Sequence, residues 1–179
     1  LVLAMAMGIT SMGGPEKIIR MMTQMVGTRE IEQVDSSENN KVIVKEDEEE
    51  AYQKIRDEFN VELVRIVIVS KNMKFVNMKF DKLIKTAELN YDYNGEKMHY
   101  LINASYAEES LGVDIEDKII DKYSMDVEGR TIQIKQYQVA GKKESRFSAS
   151  FEEMGLEYFL TGTMEKSEFE LIINNLYFL

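Results

Sequence analysis

The stretch from Arg146 to Leu179 constrains this chain more than any other, because it spells out strand, turn, strand and helix in succession. Phe147, Ala149 and Phe151 alternate with Ser148, Ser150 and Glu152, the period of a half-buried strand. Glu153-Met154-Gly155 breaks the pattern, and Leu156, Tyr158 and Leu160 resume it on a return strand that ends at Gly162. Phe169, Ile172, Ile173 and Leu176 then fall at i, i+3, i+4 and i+7, one face of a helix. Burying that stripe is worth roughly 6–12 kcal/mol before entropy is charged against it. A helix this short barely persists alone, so the pattern predicts that it docks on the preceding hairpin.

The same alternation recurs upstream. Val61 to Val69 is rich in β-branched residues, and Phe75, Met78 and Phe80 mark a further strand region. Ala87, Leu89, Tyr91 and Tyr93 alternate cleanly up to Asn94-Gly95, the dipeptide a type I′ turn favours because both central residues need positive φ. Met98, Tyr100 and Ile102 carry the return strand, with His99 on its opposite face. Residues 119–127 and 130–139 form another hairpin around Glu128-Gly129, and the Ser105 to Asp117 stretch reads as a loop with a helical turn. The expected fold is therefore α+β: about six to eight mainly antiparallel strands built from hairpins, helices near both ends, and a C-terminal helix packed on the sheet.

Before the sheet, Leu1 to Met12 is apolar and uncharged and ends in Gly13-Gly14-Pro15. It falls short of the about 20 residues a membrane helix needs. Since Leu1 is not an initiator methionine, residues 1–13 read as the end of a truncated transmembrane or signal-like segment, with a buried segment of the folded domain as the alternative. Residues 14–45 read as a helix and a polar linker. Pro15 suits the first turn, Ile18, Met22, Met25 and Val26 form the stripe, Gly27 is the stop, and a short strand follows at Val42 to Val44. Residues 46–179 read as a single α+β domain.

That domain opens on Glu46-Asp47-Glu48-Glu49-Glu50, which invites a calcium reading. The spaced Asp/Asn ligands and central Gly of a Ca²⁺ loop are absent. A helix start fits better, with Asp47 as cap, acidic groups favoured by the dipole, and Ala51, Tyr52, Ile55 and Phe59 as the buried face.

Composition narrows the functions. A net charge of −10, with Lys and Arg scattered singly and in pairs, argues against nucleic acid. The chain has no cysteine and one histidine, which excludes a disulfide scaffold, a cysteine nucleophile and a His-rich metal centre. No phosphate-binding glycine loop or nucleophile elbow occurs. With 32 acidic residues, any carboxylate pair can be imagined and none can be picked out. Tyr91, Tyr93, Tyr100 and Tyr158 fit a binding groove or, more commonly, sheet packing with hydroxyls at the rim. No catalytic, cofactor-binding or metal residue is therefore assigned, no cofactor is expected, and the residues of any binding surface stay open.

The run Phe151-Glu152-Glu153-Met154-Gly155-Leu156-Glu157-Tyr158, then Leu160-Thr161-Gly162 and the helix around Phe169 to Leu176, resembles the end of the domain of unknown function 4367. Phe151 stands where a Trp is commoner in that family. The Tyr91-Asp92-Tyr93-Asn94-Gly95 hairpin and the Met73 to Phe75 region fit its earlier sheet, so the resemblance spans roughly Glu48 to Leu179. It implies an exported Firmicutes domain, often set after a single transmembrane helix, with anti-sigma or envelope-sensing roles suggested for some relatives. It brings no catalytic or binding residues.

The resulting expectation is a noncatalytic extracytoplasmic sensing or interaction domain of a membrane-anchored bacterial protein. It would sit on the extracellular side of the cell membrane, tethered through the segment ending at Leu1–Met12, with an unknown protein or envelope ligand as partner. The alternative is an envelope-acting hydrolase using unidentified carboxylates.

Overall fold

A computed structural model describes residues 23–26, 29–32, 41–45, 47–68, 70–104, 113–115 and 117–178. The strands in chain order are β1 (Thr23–Val26), β2 (Arg29–Glu32), β3 (Lys41–Lys45), β4 (Met73–Asp81), β5 (Thr86–Tyr93), β6 (Glu96–Asn103), β7 (Val113–Ile115), β8 (Lys118–Val127), β9 (Arg130–Gln138), β10 (Ser145–Glu153) and β11 (Leu156–Met164). Helix α1 (Glu48–Phe59) precedes β4, and helix α2 (Lys166–Asn174) follows β11. The main sheet has eight strands in the order β3-β4-β5-β6-β11-β10-β9-β8, and every neighbouring pair is antiparallel. It is two meanders, β3 to β6 and β8 to β11, whose last strands lie side by side.

Two-residue turns set the register within each meander. Asn94-Gly95 has φ of 53° and 83°, Glu128-Gly129 has 51° and 78°, and Met154-Gly155 has 52° and 75°. These are I′-type values, whose twist matches that of the flanking strands. In two of the turns an aspartate three residues before the glycine accepts its N–H, Asp92 for Gly95 and Asp126 for Gly129, each at 3.1 Å. The third hairpin closes tighter than the Glu153-Met154-Gly155 break in the sequence indicates, since Glu153 and Leu156 are already paired.

Both helices cover one face of the sheet. Asp47 caps α1 by accepting the Glu50 N–H at 2.9 Å, and Ala51, Tyr52 and Ile55 are buried against the sheet. Phe169, Ile172 and Ile173 of α2 are buried, with the Phe169 ring stacked 5.2 Å from that of Phe147. Between the helices runs an extended segment, residues 61–68, tied to the C-terminus by reciprocal bonds between Arg65 and Tyr177 at 3.0 and 2.9 Å.

The structure corrects several expectations. The helix read through Met25 and Val26 is a strand there: β1 pairs antiparallel with β2 and parallel with β7. A few apolar residues at helical spacing in so short a window do not separate helix from strand, and pairing with distant β7 decides it. The residues read as polar linker likewise include β2, while the short strand read at Val42 to Val44 is β3, which belongs to the main sheet through β4, so the sheet begins before residue 46. Residues 61–68 form no ladder apart from the single Arg65–Tyr177 bridge. Leu63 and Val64 are both buried while Val67 and Ile68 are both exposed, which is not alternation. The stretch read as a loop after Ser105 contains β7. Residues 1–13, Pro15, Ile18, Met22, Gly27 and Glu46 lie outside the described residues. Among those that are described, no helix is long and apolar enough to cross a membrane.

Candidate functional site

The helix-covered face holds the tyrosines. Tyr91, Tyr93, Tyr100 and Tyr158 alternate onto it and are at most 4% exposed, so their side chains pack inside. Their hydroxyls find partners there. Tyr100 donates to the Val64 carbonyl at 2.8 Å, while the Val64 N–H donates to Tyr158 at 3.2 Å. The Ile66 N–H donates to Tyr52 at 3.0 Å. Tyr52 and Tyr91 share a proton-bridged contact at 3.3 Å, and Tyr91 donates to Glu48 at 2.6 Å. Val64 and the Ile66 N–H therefore meet side-chain hydroxyls where a strand would have a neighbouring ladder, while Arg65 between them pairs with the backbone of Tyr177. Burial pushes all these phenols up, Tyr158 to about 12. This network fastens a segment, and its protons are held too tightly for acid–base work near neutrality.

The other face carries the candidate site, a groove of about 530 Å³ across β9, β10 and β11. Thr131, Gln133, Ser150, Glu152, Glu157 and Phe159 are among the residues that line it. The register explains their convergence: Ser150 pairs with Gln133 and with Phe159, and Glu152 pairs with Glu157. Like charges directly opposite each other are unfavourable in a sheet. Here one of them is anchored, because Asn103 of β6, 1% exposed, donates to Glu157 Oε2 at 2.9 Å. The floor thus offers carboxylate, amide and hydroxyl acceptors around one aromatic ring.

Elsewhere on this face His99 meets Glu88 at 2.9 Å, and Asn90 donates to Asn77 at 3.0 Å. His99 is 5% exposed, a buried sheet residue on the face opposite Met98, Tyr100 and Ile102. Nearer β8, Arg146 is ion-paired with Asp117, and the hydroxyls of Tyr137 and Ser148 lie 3.2 Å apart. Across the rest of the acidic inventory, the Glu153 carboxylate receives a two-point contact from Arg130 at 2.8 and 2.9 Å. That hydrogen bonding holds the Glu153 carboxyl below its usual range. Among the described residues no group of three or more His, Asp or Glu is placed to hold a metal ion. In the Asp47 to Glu50 run the aspartate caps α1, Glu49 pairs with Arg65 at 2.6 Å and Glu50 with Lys54 at 2.9 Å.

Of the residues that line the groove, sequence reasoning named Tyr158 as a groove candidate and none of the polar ones. The signal was present in part: alternation placed Ser150, Glu152 and Gln133 opposite the apolar residues, and a two-residue turn at Met154-Gly155 sets Glu152 against Glu157. Asn103 could not be reached that way, because the β6–β11 pairing joins residues far apart in the chain.

A family model described as a domain of unknown function (DUF4367) matches residues 63–176, a shorter span than the motifs from Glu48 to Leu179. The match takes in the groove, Asn103 and the 64–66 segment but not α1. No curated protein and no solved structure matches the chain.

Proposed function

Because the chain belongs to the DUF4367 family, whose function is unknown, we propose a role from its groove and sequence pattern: a noncatalytic, extracytoplasmic sensing or interaction domain of a membrane-anchored bacterial protein. The observation that supports this reading is the groove on the sheet face away from the helices. Its lining stands on three adjacent strands fixed by register, so the placement of its side chains is largely pre-formed. Its acceptors suit a cationic or hydroxyl-bearing ligand, with Phe159 supplying an apolar contact. The apolar Leu1–Met12 segment supports the tether.

The test uses the absence of cysteine. Lys143→Cys, at an exposed turn, is introduced into the complete protein, and intact cells are treated with a membrane-impermeant maleimide. Labelling of intact cells is expected. Labelling only after lysis would remove the extracytoplasmic reading.

One observation favours the hydrolase alternative: Glu152 and Glu157 face each other in the groove, and a carboxylate pair is what glycoside hydrolysis employs. Glu152→Gln and Glu157→Gln separate the two. A binding domain keeps at least part of its cellular phenotype with either change, whereas loss of the phenotype in a fully folded single variant would favour hydrolysis.

A further inference from the structure

Strand β8 ends the eight-stranded sheet, and among the described residues no strand pairs with its outer side. The side chains of residues 118–122, Ser124 and Asp126 are exposed. The β8–β9 hairpin closes on the Val127–Arg130 pair. Antiparallel alternation then turns the backbone N–H and C=O of Val127, Met125 and Tyr123 toward β9, and those of Asp126, Ser124 and Lys122 outward. The Lys122 N–H accordingly donates to no β9 carbonyl; it reaches its neighbour's side chain, Asp121 Oδ1, at 2.8 Å. A bulge between Ile119 and Asp121 bends the strand upstream, leaving Lys122-Tyr123-Ser124-Met125-Asp126 as a straight edge with no strand partner among the described residues.

Those five residues are self-complementary when read against their own reverse. We propose that this edge binds a second copy of the chain, β8 against β8, antiparallel about a two-fold axis through Ser124. In that register Ser124 faces Ser124, and each Lys122 faces the Asp126 of the other copy on the groove side of the sheet. Each Tyr123 faces Met125 on the helix side, a favourable sulfur–aromatic contact. All three outward-directed residues meet outward-directed residues, so every pair can exchange backbone hydrogen bonds, the Lys122 N–H leaving Asp121 Oδ1 to do so. Registers centred on Lys122 or Asp126 bring like charges face to face, which disfavours them. One Asp126 oxygen already accepts the Gly129 N–H at 3.1 Å; the other is available to lysine. The interface is isologous and closed, so association stops at two copies.

Sedimentation equilibrium on the 179-residue chain, from about 1 to about 500 μM, tests this. The expected result is a monomer–dimer equilibrium within that range. Ser124→Pro removes an outward N–H at an edge, where proline is tolerated, and is expected to unfold normally yet stay monomeric. Lys122→Asp sets aspartate against Asp126 and is expected to weaken the dimer about tenfold or more. Mixing Lys122→Asp with Asp126→Lys restores opposite charges at both positions and is expected to yield the heterodimer. A wild-type chain that remains monomeric throughout the range would overturn the proposal, as would a dimer that neither Ser124→Pro nor Lys122→Asp weakens.

Discussion

The hydroxyl of Tyr100, from the middle of the sheet, donates to the carbonyl oxygen of Val64 at 2.8 Å, and both groups are buried. With Tyr158 accepting from the Val64 N–H, one residue has both backbone groups held by side chains from adjacent strands β6 and β11. Losing either hydroxyl leaves a buried backbone group unpaired, which costs more than an ordinary hydrogen bond contributes. Tyr100→Phe is expected to destabilise the protein by about 1–3 kcal/mol, read as a lower urea midpoint at unchanged m-value. A midpoint equal to wild type would mean that the 64–66 segment is not held by this contact.

The same tyrosines make the protein sensitive to alkali. Burial raises Tyr52, Tyr91, Tyr93, Tyr100 and Tyr158, with Tyr93 and Tyr158 at about 12. The unfolded chain ionises them near 10, so between pH 10 and their folded values the unfolded state binds fewer protons and stability falls as pH rises. Each contributes up to about 1.4 kcal/mol per pH unit in that window. Unfolding is expected to be steep above about pH 10.5, with tyrosinate absorbance of these residues appearing together with loss of circular dichroism. A smooth titration completed while the fold persists would show the phenols to be accessible.

Legibility in the sequence followed the range of the interactions. The hairpins at Asn94-Gly95, Glu128-Gly129 and Met154-Gly155 were visible because positive φ and flanking alternation are local requirements. The α2 stripe and the Asp47 cap were visible for the same reason. Alternation also separated the two faces of β10 and β11, and so placed Ser150 and Glu152 away from the core. It could not say that β6 lies against β11, which brings Asn103 to Glu157 and joins the two meanders. Nor could it read residues 61–68, whose backbone partners are tyrosine hydroxyls and the distant Tyr177. β-Branched content there signals an extended chain without specifying a ladder.

Glu48 offers a second pH signature with the opposite location. Its carboxyl is raised above 4.5, first by burial, with the Tyr91 hydrogen bond and Arg65 offsetting part of that. A raised carboxyl means that the folded state favours the protonated form. Its contribution is fullest below the unfolded value and is lost as pH rises through the folded one. Ionised Glu48 is thus a net cost at neutral pH. Glu48→Gln keeps an acceptor for Tyr91 and removes the charge. It is expected to match or exceed wild type in thermal midpoint at about pH 7, the advantage shrinking toward about pH 4. A variant clearly less stable at neutral pH would show that the carboxylate stabilises this corner despite its burial.

The closing helix gives the sharpest comparison, because neighbouring residues face opposite environments. Ile172 is 1% exposed and packs into the core, whereas Leu171 is 48% exposed on the outer side of α2. Aspartate at either site has the same low helix propensity, so the intrinsic cost is alike, a few tenths of a kcal/mol. At 172 the carboxylate is also stripped of water inside the hydrophobic core, and the isoleucine packing is lost as well. Ile172→Asp is therefore expected to cost about 4 kcal/mol or more, enough to unfold many domains of this size, while Leu171→Asp stays within about 0.5 kcal/mol of wild type. Paired denaturant titrations read the difference directly. Equal midpoints for the two variants would mean that α2 does not dock on β10 and β11, and that the core on the helix side of the sheet is closed by something else.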